Sequence, residues 1–167
     1  MSMKTRQNLR TRTFLILCFI GVLLPSVFAA SNGQDPAETT RKEILAALEA
    51  WNDAAKNRDL ARFMALYDQA PDIMLIGSDK GEIFKGKDAI EGWLKGLFGF
   101  AGFSWQMDRL DIDSHGDTAW VFADGFMIVN NDRGQEGKKP YRFTGILVKK
   151  HGTWKWRLFN GSIPAGE

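Results

Sequence analysis

The sequence predicts an α+β domain in which helices pack on one face of a curved antiparallel sheet. Three observations lead there. Apolar residues recur at helical spacing in the first half of the chain, at Ile44, Leu48, Trp51 and Ala55. In the second half they follow the period-two alternation of strands, over long segments separated by glycine-containing turns. The two kinds of segment are segregated along the chain, which favours α+β over α/β architecture.

Residues 1–30 read as a leader. Lys4, Arg6, Arg10 and Arg12 form a basic region, Phe14 to Leu24 a short apolar run, and Ala29 and Ala30 a small-residue cleavage region. An uncleaved anchor is the alternative, although the run is short for a bilayer span. Leu17 before Cys18 is bulky where lipoprotein processing needs a small residue, and Thr11 interrupts the pair Arg10 and Arg12, so neither a lipid anchor nor a twin-arginine signal is read. A signal peptide cut near Ala29/Ala30 implies a periplasmic or secreted protein with no stable membrane association after processing. Cleavage removes four basic residues and no acidic one, so the net charge moves from +2 to −2. That balance gives no footprint for nucleic acid. Cys18, the single cysteine, leaves with the leader, which excludes disulfides and cysteine–zinc sites from residues 31–167.

Within 31–167 the elements follow in order. Asp35, Pro36 and Glu38 look like a capped helix start, and the apolar spacing carries that helix to about Lys56. Asp59 can cap a second helix bearing Leu60, Phe63, Leu66 and Tyr67. Ile73–Ile76 is extended, Gly77–Gly81 a turn, and Glu82–Lys85 a short returning strand. Gly86 to Asp88 lead into a third helix with Ile90, Trp93, Leu94 and Leu97. Segment 96–103 interleaves three glycines with three phenylalanines, which suggests close backbone approach or a mobile loop. Strands are expected over Ser104–Ile112 and Thr118–Val129, then a polar loop from Asn130 to Pro140. A terminal hairpin closes the chain, Tyr141–Lys150 and Trp154–Pro164 around His151 and Gly152.

That hairpin carries the site expectation. Arg142, Thr144, Ile146 and Val148 share one face of its first strand; Trp154, Trp156, Leu158 and Asn160 share a face of its second. A two-residue turn would set these apolar sets on opposite sides, whereas a glycine bulge at Gly152 would merge them. The bulge is the expected form, and it places Arg142 near Asn160 at the end of a buried wall.

The mature chain also resembles the nuclear-transport-factor-2-like superfamily, within it the SnoaL-like or kinase-association-domain-like group. The residues that carry the resemblance are Asp59–Phe63, Gly81–Ile90, Gly116–Val121, Arg142–Ile146 and Gly152–Arg157 with the ending Ser162-Ile163-Pro164. It covers nearly all of 36–164. It implies a cone-shaped sheet with the three helices on its concave face, and leaves function open among isomerases, dehydratases, cyclases, epoxide hydrolases and binding modules. Relatives commonly place a histidine shortly before the terminal serine, pointing into the cone; here Asn160 stands there.

Arg142 is permanently charged, so burying it requires a protein carboxylate or an anionic ligand. It is read either as a clamp for a carboxylate-bearing small molecule or as half of a structural ion pair. Asn160 could orient a carbonyl or be a satisfied buried amide. Asp124 shares a face with Trp120, Phe122 and Phe126, where its proton affinity would rise, as a general acid or base needs; the alternative is a cross-strand partner for Arg142. Tyr67 closes the second helix, where enzymes that the chain resembles sometimes place a hydrogen-bonding tyrosine. Trp51, Trp93, Trp105 and Trp156 could line an apolar cavity or simply form core. His115 and His151 precede turn glycines and make no metal site, and no nucleotide-binding or serine-nucleophile fingerprint is present. Phe143, Leu147 and Phe159 are placed on the sheet face away from the helices, which would support a homodimer. The expectation is a small-molecule-binding domain without metal or organic cofactor. A cofactor-independent isomerase, dehydratase or cyclase, or an oligomerising module, is the alternative.

Overall fold

A computed structural model describes residues 36–131 and 136–165; the expected leader, its cleavage site and the cap Asp35 lie outside the described residues. Helix α1 spans Pro36–Lys56 and buries Ile44, Leu48, Trp51, Ala54 and Ala55 along one stripe. It ends because Arg58 turns left-handed (φ 57°), with Arg58 N–H donating to Ala55 O and Asp59 N–H to Ala54 O. This is the two-bond termination that satisfies the last carbonyls of a helix. Asp59 then caps α2 (Leu60–Ala65), its side chain accepting from Arg62 N–H at 2.9 Å. Strands β1 (Met74–Ile76) and β2 (Ile83–Lys85) form a small hairpin before α3 (Lys87–Phe100).

Four strands complete the chain: β3 (Ala101–His115), β4 (Thr118–Asn131), β5 (Glu136–Lys150) and β6 (Thr153–Ser162). The six make one curved, unclosed sheet in the order β2-β1-β6-β5-β4-β3. All pairs are antiparallel except β1 with β6, so the sheet is mixed at one seam. The strands run further than their sequence pattern: α3 leads directly into β3, and β4 and β5 continue into the polar segment expected as a loop. In segment 96–103 the close approach is at Gly102, where a Cβ would lie 2.4 Å from Lys56 O.

The terminal hairpin corrects the expected register. His151 (φ 49°) and Gly152 (φ 79°) form a plain two-residue turn, with Lys150 opposite Thr153. The bulge exists, but at Arg157: Leu147 pairs with Trp156, and Ile146 with Leu158. The cause is a tertiary partner. Segment 66–68 runs beside β6, with Trp156 N–H donating to Leu66 O and Asp68 N–H to Trp156 O. The Arg157 guanidinium spans the two ends of the following loop, donating to Asp68 Oδ2 and Asp72 Oδ1, each at 2.6 Å. Gly145 leaves room for the Trp156 ring, since a Cβ there would meet it at 2.3 Å. Beyond the bulge the parity of β6 inverts, so Phe159 turns inward and Asn160 outward. Tyr141, Phe143 and Leu147 face the helices and are buried, while Arg142, Thr144 and Ile146 face solvent. Phe143, Leu147 and Phe159 are therefore core residues and not an outer apolar face.

Two acidic side chains fasten this arrangement. Glu43 on α1 accepts from Lys149 Nζ at 2.6 Å and Trp154 Nε1 at 3.0 Å, which holds its carboxyl below the usual range. Hydrogen bonding from Arg157 depresses Asp72 in the same direction. A carboxyl with a lowered folded-state pKa stabilises the fold above its unfolded value, about 4, and that contribution is lost as pH falls. Acidification below about pH 4 is expected to lower the unfolding temperature. Arg157→Met should lower it at neutral pH, by leaving buried Asp68 unpaired, and should flatten the acid dependence. Thermal melts of both proteins across acidic pH check this; an unchanged Arg157→Met melt would remove the role given to the bulge.

Candidate functional site

Between the helices and the inner sheet face lies a cavity of about 440 Å³, within the range of small-molecule sites. Its body is aromatic and aliphatic. Helix α1 contributes Trp51, α2 Phe63, and α3 Trp93, Leu94, Leu97 and Phe98; the sheet contributes Leu75, Phe103, Trp105, Met127, Val129 and Phe159. Trp51 and Trp105 stack with centroids 4.1 Å apart and planes inclined by 21°. Trp93 stacks on Phe84 at 4.8 Å. Phe100, 70% exposed, and Ile163 also line the cavity and give it an apolar rim.

Asn52 explains why Trp105 stands where it does. Its side chain accepts from Trp105 N–H at 2.7 Å and donates to Trp105 O at 3.2 Å, so it takes the place of a neighbouring strand on the free edge of β3. One turn of α1 thus presents Trp51 to the cavity and clamps the backbone of the tryptophan stacked on it. Among the described residues the indole N–H groups of Trp51 and Trp105 find no hydrogen-bond partner, nor does the Tyr67 hydroxyl. Trp51 Nε1 lies near that hydroxyl without completing a bond in good geometry.

The hydrogen-bonding groups of the lining gather in the β1–β2 turn and on β5. The turn supplies Gly77, Ser78, Asp79 and Glu82; β5 supplies Tyr141 and exposed Lys139. Glu82 folds back over Gly77, where a Cβ would collide with its carboxylate, and its Oε2 accepts from Asp79 N–H at 3.0 Å. The Tyr141 ring lies over Gly161, whose missing side chain makes the space. Burial raises the Tyr141 phenol to about 12; a hydrogen bond from Ser78 opposes the shift, and the charges of Glu82 and Asp79 add to it. Burial likewise raises Tyr67 well above its ordinary value. Tyr141 is therefore a neutral hydroxyl near neutral pH, a hydrogen-bond donor and not a base.

The residues singled out in the sequence divide into three groups. Trp51, Trp93 and Trp105 line the cavity. Tyr67 and Trp156 are buried behind that lining and belong to the core. Arg142, Asn160 and Asp124 lie on the outward sheet face, outside the lining. Asp124 stands opposite Arg142 in the register and accepts from its Nε at 2.7 Å, with the two side chains 41% and 50% exposed. The ion-pair reading of Arg142 is the one the geometry supports, and proton transfer by Asp124 in the cavity is set aside. Asp124 does share a face with Trp120, Phe122 and Phe126, but that face looks outward. Ser78, Glu82 and Tyr141 were missed. Tyr141 could have been found as the alternation partner of Arg142 once the face assignment was reversed; the turn residues follow no periodic signal. Among the described residues no group of three or more His, Cys, Asp or Glu side chains is placed to hold a metal ion. His115 and His151 are exposed at turns.

The family model for the SnoaL-like domain matches residues 44–166. No curated protein matches the sequence. Among solved structures the chain is similar to a nuclear transport factor 2-like superfamily protein of Salmonella enterica serovar Typhimurium, at 18% identity and TM-score 0.67 over 77% of this chain and 94% of that one. A Novosphingobium aromaticivorans protein described provisionally as a scytalone dehydratase matches at 18% identity and TM-score 0.67, over 77% and 86%. A ketosteroid isomerase-like protein of Erwinia carotovora matches at 21% and 0.57, over 75% and 96%. At these identities the likeness concerns the fold.

Both tyrosines of the chain, Tyr67 and Tyr141, are buried and shifted upward. Each neutral phenol stabilises the fold until pH passes the unfolded value of about 10, and that stabilisation declines as pH rises further. An alkaline titration of the folded protein should show no tyrosinate absorbance until unfolding begins, and Tyr141→Phe should halve the amplitude. A reversible tyrosinate signal near pH 10 in folded protein would contradict the placement of both rings.

Proposed function

The chain belongs to the SnoaL-like domain family, and on that premise we propose that it is an exported small-molecule-binding domain. The supporting observation is the apolar cavity with its hydrogen-bonding groups at one end. A flat, mostly apolar molecule would bury its rings against Trp51, Trp93 and Trp105 and turn its polar end to Tyr141, Ser78 and Glu82. The carboxylate-bearing ligand expected from Arg142 loses its clamp, because Asp124 occupies that guanidinium outside the cavity. Export rests on the leader-like residues 1–30, and the secreted chain should begin at Ala30 or Ser31.

Proton-transfer catalysis is the second reading, and its carboxylate becomes Glu82. It is half-buried beside the neutral Tyr141 hydroxyl, so a base and a donor meet at one end of an apolar cavity. The names of the scytalone dehydratase-like and ketosteroid isomerase-like neighbours fit such a reaction.

A thermal-shift screen of small aromatic and polycyclic compounds tests the binding reading. Hits should raise the unfolding temperature of the wild type, and Trp105→Ala should weaken them about tenfold or more by removing the ring that faces Trp51. No stabilisation by any apolar ring compound would overturn it. Turnover of a hit that Glu82→Gln still binds but no longer converts would establish the catalytic reading.

We also propose a homodimer through the outward sheet face, in place of the residues first expected. Trp120 (48% exposed), Ile146, Leu158 and Met74 form one apolar row across four strands. The pairs Asp124–Arg142 and Arg109–Asp111 supply both charge signs on that face, as a self-complementary surface needs. Light scattering should give a two-chain mass, and Trp120→Glu should give one chain with an unchanged melt. A monomeric wild type would refute the dimer.

A further inference from the structure

The cavity distributes its chemistry unevenly. Its body offers aromatic faces and aliphatic groups, while its charged groups are Asp79, Glu82 and Lys139. Two of these three are carboxylates on one tight turn. Glu82 is half-buried and fixed by the Asp79 N–H bond to Oε2; among the described residues its Oε1 has no hydrogen-bond partner. Asp79 and Lys139 are both exposed, where solvent screens their charges, so half-buried Glu82 is the least screened of the three. The nearby Tyr141 and Ser78 hydroxyls can each accept as well as donate. The polar end therefore carries net negative charge and an excess of acceptors.

We propose that the cavity selects ligands whose aromatic or polycyclic body ends in a hydrogen-bond-donating, positively charged group, a protonated amine, held by the Glu82 carboxylate with Asp79, Tyr141 and Ser78 around it. This rests on the binding reading above and names its ligand class. The ring system stacks within the tryptophan-lined body, where the π-faces also favour a cation at their margin. The ammonium sits at the mouth, keeping part of its hydration while it reaches Glu82 Oε1. A carboxylate in the same pose meets two like charges and loses water without compensation.

Three probes of one shape separate this proposal from the reading it rests on: naphthylmethylamine, neutral naphthylmethanol and naphthoate, measured by calorimetry at neutral pH and low salt. The amine should bind about tenfold more tightly than the alcohol, and the alcohol more tightly than naphthoate. Glu82→Gln combined with Asp79→Asn should erase the preference for the amine over the alcohol. Added salt should reduce the amine's advantage in the wild type. A melt and a near-ultraviolet spectrum of the double variant show whether the turn survives, and Lys139→Ala, which leaves the turn intact, should widen the amine's advantage. Equal binding of all three probes, or a preference for naphthoate, would overturn the charge assignment while the cavity reading stood. Binding of none of them would overturn both.

Discussion

One bulged residue on β6 decides which way much of the sheet faces. Arg157 is the extra residue between Trp156 and Leu158, and it is held there by Asp68 and Asp72, nearly ninety positions earlier in the chain. Before it, Trp154 and Trp156 point inward; after it, Phe159 and Gly161 do. A β6 without the bulge would send Phe159 to solvent and Asn160 into the core, because a one-residue slip moves every later side chain to the opposite face. The same contact aligns segment 66–68 and then β1 against β6, so the single parallel seam of the sheet begins where Arg157 sits. Sheet curvature, cavity floor and the position of the β1–β2 turn all depend on it.

A cavity survives in so aromatic a core because its walls are rigid and separately anchored. Trp51 touches Trp105, Trp156, Phe159, Phe63 and Phe143, all with ring centroids within 6 Å. Planar rings packed at several angles cannot slide into a void as flexible aliphatic chains do. Asn52 fixes the Trp105 backbone from the helix side, and Gly145 and Gly161 let Trp156 and Tyr141 lie flat on β5 and β6. Buried indole donors left unpaired would cost stability in a closed core.

The fold was legible in the sequence because its signals are local and repeated. Helical spacing through Ile44, Leu48, Trp51 and Ala55 and the long alternations of the last four strands each specify their element without help from the rest of the chain. The family resemblance rested on the same segments. Half of the site was legible for the same reason, since Trp51, Trp93 and Trp105 sit at apolar positions of strong elements. The rest depended on parity. Alternation tells which residues share a face, and that grouping was right for Arg142, Thr144 and Ile146. It does not tell which face is inward, and the bulge that settles the matter is placed by Asp68 and Asp72, not by the turn glycine. The misplaced bulge put Arg142 and Asn160 in the pocket and Phe159 outside it. Strand lengths at 130–140 were underestimated because polar residues on β4 and β5 look like a loop when their hydrogen bonding is unseen.

The inverted parity also reverses the electrical character of the candidate site. With Arg142 inside, the cavity would have had a cationic end and a preference for anions. With Arg142 outside and spent on Asp124, the fixed charges at the cavity end are half-buried Glu82 and the solvent-screened Asp79 and Lys139. Tyr141 adds no charge of its own, because burial and the neighbouring carboxylates keep its proton in place. A neutral donor beside a fixed carboxylate serves recognition directly. It serves catalysis only if a bound substrate brings an acidic C–H within reach of Glu82, which binding geometry must supply before pKa matters. Recognition therefore comes first in the physical order, and any chemistry in this cavity would be built on the same turn of six residues between β1 and β2.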